Sequence, residues 1–432
     1  MQGSVPSWFG PRQPEPALGE VVVGLRPAMT GPDTRCSTPG QNGWRYASPE
    51  NRILVEAVSY QTAAIHHLAW NDLTQRLIEP NVFLDPCFVL PAVQHFPLAR
   101  RPAFLLVWDE TGGERDRLIG LCPLVLPRHR FSRFATAWLH DQASLGTPLI
   151  DRSRAIETLD LMLDWLHREY GHLAGLMLPR LRQDGPVMAL LRTRAILTGR
   201  QLRLYDSHER AMLSSGEQGA NAFNHGLSSK KIKELRRQRR RLEANGKLAF
   251  RTATTPGDVR VATEHFLSLE AAGWKGRRGT SLLADPALTT FTRTMSRLLA
   301  REGKCRVCTL ELDGKTVAAG VVLESGGYAY LWKIAYDESL AIHSPGVQFV
   351  LDLSRLLIAD EQIIFTDSCA IPNHPMIDHV WRERLGVADA LIATGTGHGR
   401  SFALGAFAET ARRRLRQQAK AVFYRLTGRK AS

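Results

Sequence analysis

The sequence predicts an α/β protein made of two similar lobes, each a mixed central sheet flanked by helices. Three observations lead there. Strand-like and helix-like periodicities alternate along the chain. The 432 residues exceed one ordinary domain and suit two. A succession of helices and strands in the first half recurs, in similar order, in the second. No internal sequence repeat is strong enough to carry the duplication, which rests on element order.

Residues 1–48, rich in Pro, Gly and Ser, are expected to be flexible. Order is expected from Asn51, where Ile53, Val55 and Ala57 alternate, and a helix over 60–77. Asp85-Pro86 predicts a helix start, because Asp caps the free amides and Pro fits the first position. Phe104–Trp108 and Leu118–Leu126, separated by Thr111-Gly112-Gly113, read as a hairpin. Pro123 places the second strand at an edge or a bulge. A packed helix over 155–169 follows, then strands at 174–178 and 201–205 bracketing a helix at 186–196. These elements define an N-terminal lobe, 49–215.

The second lobe, 216–398, opens on a helix over 229–245 capped by Ser228 or Ser229, with only Ile232, Leu235 and Leu242 to bury. A strand at 247–252, helices over 256–272 and 286–301, and strands at 304–311, 315–324 and 327–335 follow. Asp313-Gly314 and Ser325-Gly326-Gly327 supply the two turns. A helix from Ser344-Pro345-Gly346 to about 359, a strand at 362–366, a helix near 373–385 and a strand near 388–393 complete the lobe, leaving a basic amphipathic tail, 399–432.

Net charge is +14, but segments 230–245 and 411–430 account for all of it, with eight basic residues each. The remainder is formally neutral, which excludes a uniformly basic nucleic-acid coat. The six cysteines form no disulfide framework, and Cys305 and Cys308, three apart in a strand, face opposite sides. A reducing, cytoplasmic setting is expected, since no signal-peptide pattern and no membrane-spanning run is visible. No nucleophile elbow, Walker A pattern, dinucleotide fingerprint or zinc-protease motif is present, and no metal site is expected.

Three clusters carry chemistry. In the first, Tyr330, Trp332 and Ile334 are expected on one strand face and Leu331, Lys333 and Ala335 on the other. The strand leads to Ser344-Pro345-Gly346, whose free amides and positive helix end would cradle a phosphate, or would merely start a packing helix. The second joins Glu270 to Trp274, Lys275, Arg277 and Arg278 on a glycine-rich loop, open to ligand binding or to a solvated helix end. Glu270 would pair with Lys275 or Lys333, or accept a proton. The third places Asp367 beyond the carboxyl end of a strand, where ligand crevices of α/β sheets lie, with His374, Asp378 and His379 nearby.

The chain resembles a known family through Leu227-Ser228-Ser229-Lys230-Lys231 with the basic run to Arg241, through Glu270 and Trp274-Lys275-Gly276, and through Tyr330 to Asp337 and Ser344-Pro345-Gly346. Phe83-Leu84-Asp85-Pro86 and Ile119 to Leu124 are similar signals upstream. Together these resemble the CelD/BcsL-like branch of the GNAT acetyltransferases, related to the Fem-type aminoacyltransferases, over about 80–395. The resemblance implies tandem GNAT-like lobes and an acyl-CoA, such as acetyl-CoA, held between splayed strands of the second lobe. Its contacts would be Trp332, Ala335, Tyr336, Ser344, Gly346 and Val347. The usual glycine-rich pyrophosphate signature is reduced here to Gly346.

The implied reaction is direct acyl transfer to an amine or hydroxyl of a sugar, lipid-linked or cell-envelope acceptor. Glu270 would be the base, with Asp367 second, Lys333 meeting the oxyanion and His374 a further candidate. Trp274, Lys275, Arg277 and Arg278 would bind the acceptor. Fem-type relatives use aminoacyl-tRNA instead, and the basic segment 230–241 would then track phosphates. A non-catalytic binding protein is the third alternative. In the tail, Ala411, Leu415, Ala419, Val422 and Leu426 recur at helical spacing beside cations, which suits either an anionic membrane surface or packing on the body.

Overall fold

The computed structural model describes residues 34–38, 41–47, 52–98, 101–110, 117–126, 133–397 and 399–427. Most of segment 1–48, the turn at 111–113 and residues 428–432 of the tail lie outside the described residues. Within that first segment, β1 (Thr34–Thr38) and β2 (Gln41–Ala47) pair antiparallel and extend the sheet.

Strand β3 (Arg52–Val58) sends Ile53 and Val55 into one core and Leu54 and Val58 into another, as strand alternation requires. Helices α1 (Tyr60–Ile65), α2 (His67–Thr74) and α3 (Pro86–His95) follow. Asp85 caps α3 by accepting the Cys87 amide at 2.8 Å, and its other oxygen receives the Lys304 ammonium at 2.7 Å. The cap is therefore also a buried tie between lobes. Strands β4 (Ala103–Asp109), β5 (Arg117–Val125), β6 (Phe134–Ala137) and the short β7 (Leu149–Ile150) precede α4 (Ala155–Glu169), β8 (Gly175–Arg182) and α5 (Pro186–Thr198). Strand β9 (Leu202–Ser214) is far longer than its sequence pattern suggests.

The second half runs α6 (Gly216–Gly226), α7 (Ser229–Glu243), β10 (Leu248–Ala253), α8 (Pro256–Ala272), α9 (Trp274–Arg277) and α10 (Pro286–Arg301). The meander β11 (Cys305–Leu312), β12 (Lys315–Ser325) and β13 (Tyr328–Tyr336) leads to α11 (Pro345–Ala359), β14 (Phe365–Asp367), β15 (Glu383–Ala393) and α12 (Arg400–Thr427). Ser228, Thr255 and Asp285 accept amides at the starts of α7, α8 and α10.

One continuous sheet joins the halves in the order β1-β2-β3-β4-β5-β6-β8-β15-β9-β14-β13-β12-β11-β10, with β7 beside β5. The last strand, β15, inserts antiparallel between β8 and β9, and β9 in turn pairs with β14. Each lobe thus completes its sheet with a strand from the other end of the chain. The duplication is visible in the pairing. β6 and β8 run parallel for three residues, as do β13 and β14, before each pair parts.

The helix expected near 373–385 is absent. Pro372 and Pro375 lack amide donors, Asn373 adopts φ 58°, and only a single 3-10 turn forms at Ile377–His379 before β15 begins at Glu383. Two ladders, one on each side of β15, outweigh the local helical spacing.

Candidate active site

The register of β13 builds the site. Val321 faces Lys333 across the ladder but Val322 faces Leu331, so Trp332 is an extra residue in a bulge. The bulge shifts the alternation. Tyr330, Trp332 and Ala335 join the core under α8 and α10, whereas Leu331, Ile334 and Tyr336 join the core under α7 and α11. The strict alternation expected of residues 330–335 is therefore corrected at Ile334 and Ala335. Its consequence is that Trp332 and Lys333 lie on the same side, and the Lys333 ammonium sits 5.4 Å above the indole.

Among the described residues the outer edge of β13 has no partner strand beyond Tyr330, because β14 pairs only Phe365, Thr366 and Asp367 with Tyr328, Ala329 and Tyr330. The strands splay there. Lys333 stands in the fields of Lys275, Glu270, Cys369 and Asp141, and burial followed by Lys275 holds its pKa below the usual lysine value. His374 also lies in the field of Lys275, and burial first, then that lysine, lower its pKa. Its Nδ1 accepts the Met376 and Ile377 amides at 3.3 and 3.4 Å, which leaves Nε2 to carry the proton of the neutral ring.

Glu270, at the end of α8, is buried and accepts the Lys275 ammonium at 2.6 Å and the Leu282 amide at 2.8 Å. Of its open partners, Lys275 is the one chosen. Gly276 makes this possible: a Cβ there would stand 1.7 Å from the Ala271 carbonyl, so α9 folds back on α8 only with glycine. Glu338 clamps the same turn by accepting the Trp274 amide at 2.7 Å and pairing with Arg277. The Trp274 ring remains 44% exposed, with the Arg278 guanidinium 5.0 Å over it. Beside this turn lies a cavity of about 590 Å³, lined among others by His265, Gly273, Arg277, Lys315, Tyr336 and Glu338.

The sequence-predicted residues divide. Glu270, Lys275, Lys333 and His374 gather around the splay, with Trp274, Arg277 and Arg278 on the adjoining turn. Asp367 is set apart: fully buried, it is ion-paired with Arg210 and accepts the Cys369 amide at 2.9 Å. The phosphate cradle at the start of α11 is corrected. Ser344 adopts φ 51° and makes no side-chain cap, and its carbonyl takes the Val347 and Gln348 amides at 3.0 Å each. Gly346 is buried, and a Cβ on it would meet the Tyr336 ring at 2.8 Å and Met376 Sδ at 3.2 Å. The turn is closed because segment 369–382, lacking the expected helix, packs Met376 against it.

Sequence reasoning missed three contributors. Glu338 is one. Arg210, from β9, neutralises Asp367. The third is the first-lobe segment after β6, where the Gln142 carbonyl accepts the Trp332 indole at 2.7 Å and the Asp141 charge acts on Lys333. Nothing local in the sequence signals partners 157 or 190 residues away. Among the described residues, no group of three or more His, Cys, Asp or Glu is placed to hold a metal ion.

Splayed strands, a bulge at the splay and a carboxylate-lysine cluster beside it define a two-lobed transferase-like α/β protein. Residues 229–364 match the family described as acetyltransferase (GNAT) domain. No curated protein matches the sequence. Among solved structures, a conserved protein of unknown function from Bacteroides thetaiotaomicron is similar at 11% identity, with 76% of this chain and 96% of that one covered, TM-score 0.46. FemX is similar at 9% identity, covering 74% and 95%, TM-score 0.46. A tandem GNAT protein from the clavulanic acid biosynthesis pathway is similar at 14% identity, covering 80% and 100%, TM-score 0.38.

Proposed function

We propose that the protein transfers an acyl group from acyl-CoA to an amine or hydroxyl acceptor by direct attack at the splay of β13 and β14. The observation that carries this reading is the meeting of Glu270, Lys275 and Lys333, all inside the segment that matches the acetyltransferase family, with His374 from just beyond it, beside the edge of β13 that β14 leaves. The acyl thioester lies along the free edge of β13, with Trp332 walling it from the core. The acceptor enters from the cavity beside α9, where Arg277 and His265 offer donors, and the exposed Trp274 next to the lining residue Gly273 offers a face for a sugar ring. This favours a sugar or lipid-linked cell-envelope acceptor, as in exopolysaccharide-associated enzymes.

In the proposed step, the acceptor nitrogen or oxygen bonds to the thioester carbonyl carbon, the C–S bond breaks, and the acceptor's proton passes to Glu270. Lys275, a quarter exposed, moves off the carboxylate as the acceptor arrives. Lys333 and the Nε2–H of His374 offer hydrogen bonds to the carbonyl oxygen and the leaving thiolate. The donor's phosphates are assigned to cations rather than to the α11 amides. Helix α7 packs against the 338–343 turn that leads into α11, its Leu235 carbonyl accepts the Gln348 side-chain amide of α11 at 2.9 Å, and Lys230, Lys231 and Arg236 are exposed on it.

The same exposed cations favour a second reading, in which the donor is aminoacyl-tRNA. Purified protein offered acetyl-CoA, longer acyl-CoA and charged tRNA over a salt series separates the two. Transfer from CoA with a shallow salt dependence is expected; transfer from tRNA alone, lost steeply with salt, reverses the donor assignment. In either case Glu270→Gln is expected to lower kcat about 10²–10⁴-fold with folding intact. A full rate in that variant would remove Glu270 from proton transfer.

A further inference from the structure

Helix α12 divides into two parts. Its first part packs on the sheet: Phe402 and Ala406 are buried against Ala174, Met177, Leu391 and Ala393. Arg413 locks the end of that contact by pairing with Asp206, Asp389 and Glu409. From Arg414 to Phe423 every residue is exposed, so the helix continues off the body for roughly 15 Å at 1.5 Å per residue. Leu404, Ala411, Leu415 and Val422 fall within about 40° of one another around the axis, on the side opposite Phe402 and Ala406. Leu404, Leu415 and Val422 are 58%, 65% and 53% exposed, and Phe407 and Phe423 flank them at 73% and 53%.

We infer that this outward stripe seats α12 in the interfacial region of an anionic lipid bilayer. Among the described residues no helix is long and apolar enough to cross a membrane, so the helix lies on the surface. Charge selects the occupant. No acid follows Glu409, while Arg414, Arg416 and Lys420 follow it on the projecting part. A second copy docking through the same stripe would set cation against cation with no acid to pair them. Anionic headgroups complement both the cations and the half-immersed Phe and Leu side chains. The inference concerns attachment and is independent of the acyl-transfer reading.

Flotation of the full chain with vesicles of phosphatidylcholine, alone or with about one third phosphatidylglycerol, tests it. Binding is expected only with phosphatidylglycerol, weakening about five-fold for each cation removed in Arg414→Gln and Arg416→Gln. Leu415→Glu with Val422→Glu is expected to reduce binding at least about ten-fold. These positions face away from the packed side, so circular dichroism should stay unchanged. Equal binding to neutral vesicles, no binding at all, or binding indifferent to the two Glu substitutions would overturn the inference. Lipid-free self-association abolished by Leu415→Glu would also overturn it by assigning the face to a second copy.

Discussion

The Trp332 indole donates a hydrogen bond to the Gln142 carbonyl at 2.7 Å, joining the bulge of the second lobe to a segment of the first. Trp332 also contacts Phe88 and Phe291 edge-on, with ring centroids 6.5 and 6.3 Å away. The bulge is therefore held from both lobes. Since the bulge is what turns Lys333 toward Glu270, site geometry depends on lobe contact.

Trp332→Phe keeps most of the apolar area but leaves the Gln142 carbonyl without its donor. A loss of about 1–3 kcal/mol in stability is expected from chemical denaturation. Faster amide exchange in 138–147 should accompany it, whereas unchanged exchange there would show that the bond does not hold the segment.

Glu338→Gln removes the charge that pairs Arg277 while keeping an acceptor for the Trp274 amide. The acceptor KM is expected to rise several-fold with kcat changed less, because the clamp orders the turn beside the cavity rather than the reacting atoms. A selective fall in kcat would place Glu338 nearer the chemistry.

Lys333→Met removes a half-buried amine whose pKa lies below the usual lysine range. About 10²-fold loss in kcat is expected from the missing hydrogen bond to the developing oxyanion. Lys333→Arg should restore only part of the rate, since a planar, delocalised guanidinium does not reproduce the compact ammonium donor.

Glu79 gives a pH test of stability. Burial pushes its carboxyl up to about 7, against an accepted Val187 amide at 2.9 Å and the nearby Arg182. The folded state therefore binds this proton more tightly than the unfolded chain. The stability it contributes is present below the unfolded pKa and is lost as pH rises through about 7. Glu79→Gln is expected to stabilise the protein by about 3 kcal/mol at pH 8 relative to wild type, with the gain vanishing toward pH 4. A pH-independent difference between the two proteins would contradict the shift.

Much of the architecture was legible because it is local. Asp85-Pro86, Asp285-Pro286 and Ser228 begin helices where capping chemistry places them, and Asp313-Gly314 turns with φ 48° and 78°, the positive values a tight hairpin needs. The cluster at Glu270, Trp274 and Lys275 was legible for the same reason, being one helix end and the loop beside it. The start of α11 misled, since Ser, Pro and Gly in that order describe a helix start but not what covers it.

The sequence by itself determined the two-lobed α/β class, the element order and which charged residues stand near one another along the chain, because caps, turns and periodicity act over a few residues. Only the tertiary structure decided that β15 crosses into the first lobe, that a bulge carries Lys333 to the Glu270 side, that Arg210 neutralises Asp367, and that Met376 and Tyr336 close over Gly346. Those outcomes rest on ladder pairing and packing between residues far apart in the chain, whose energies exceed local preference and leave no mark in any short window of residues.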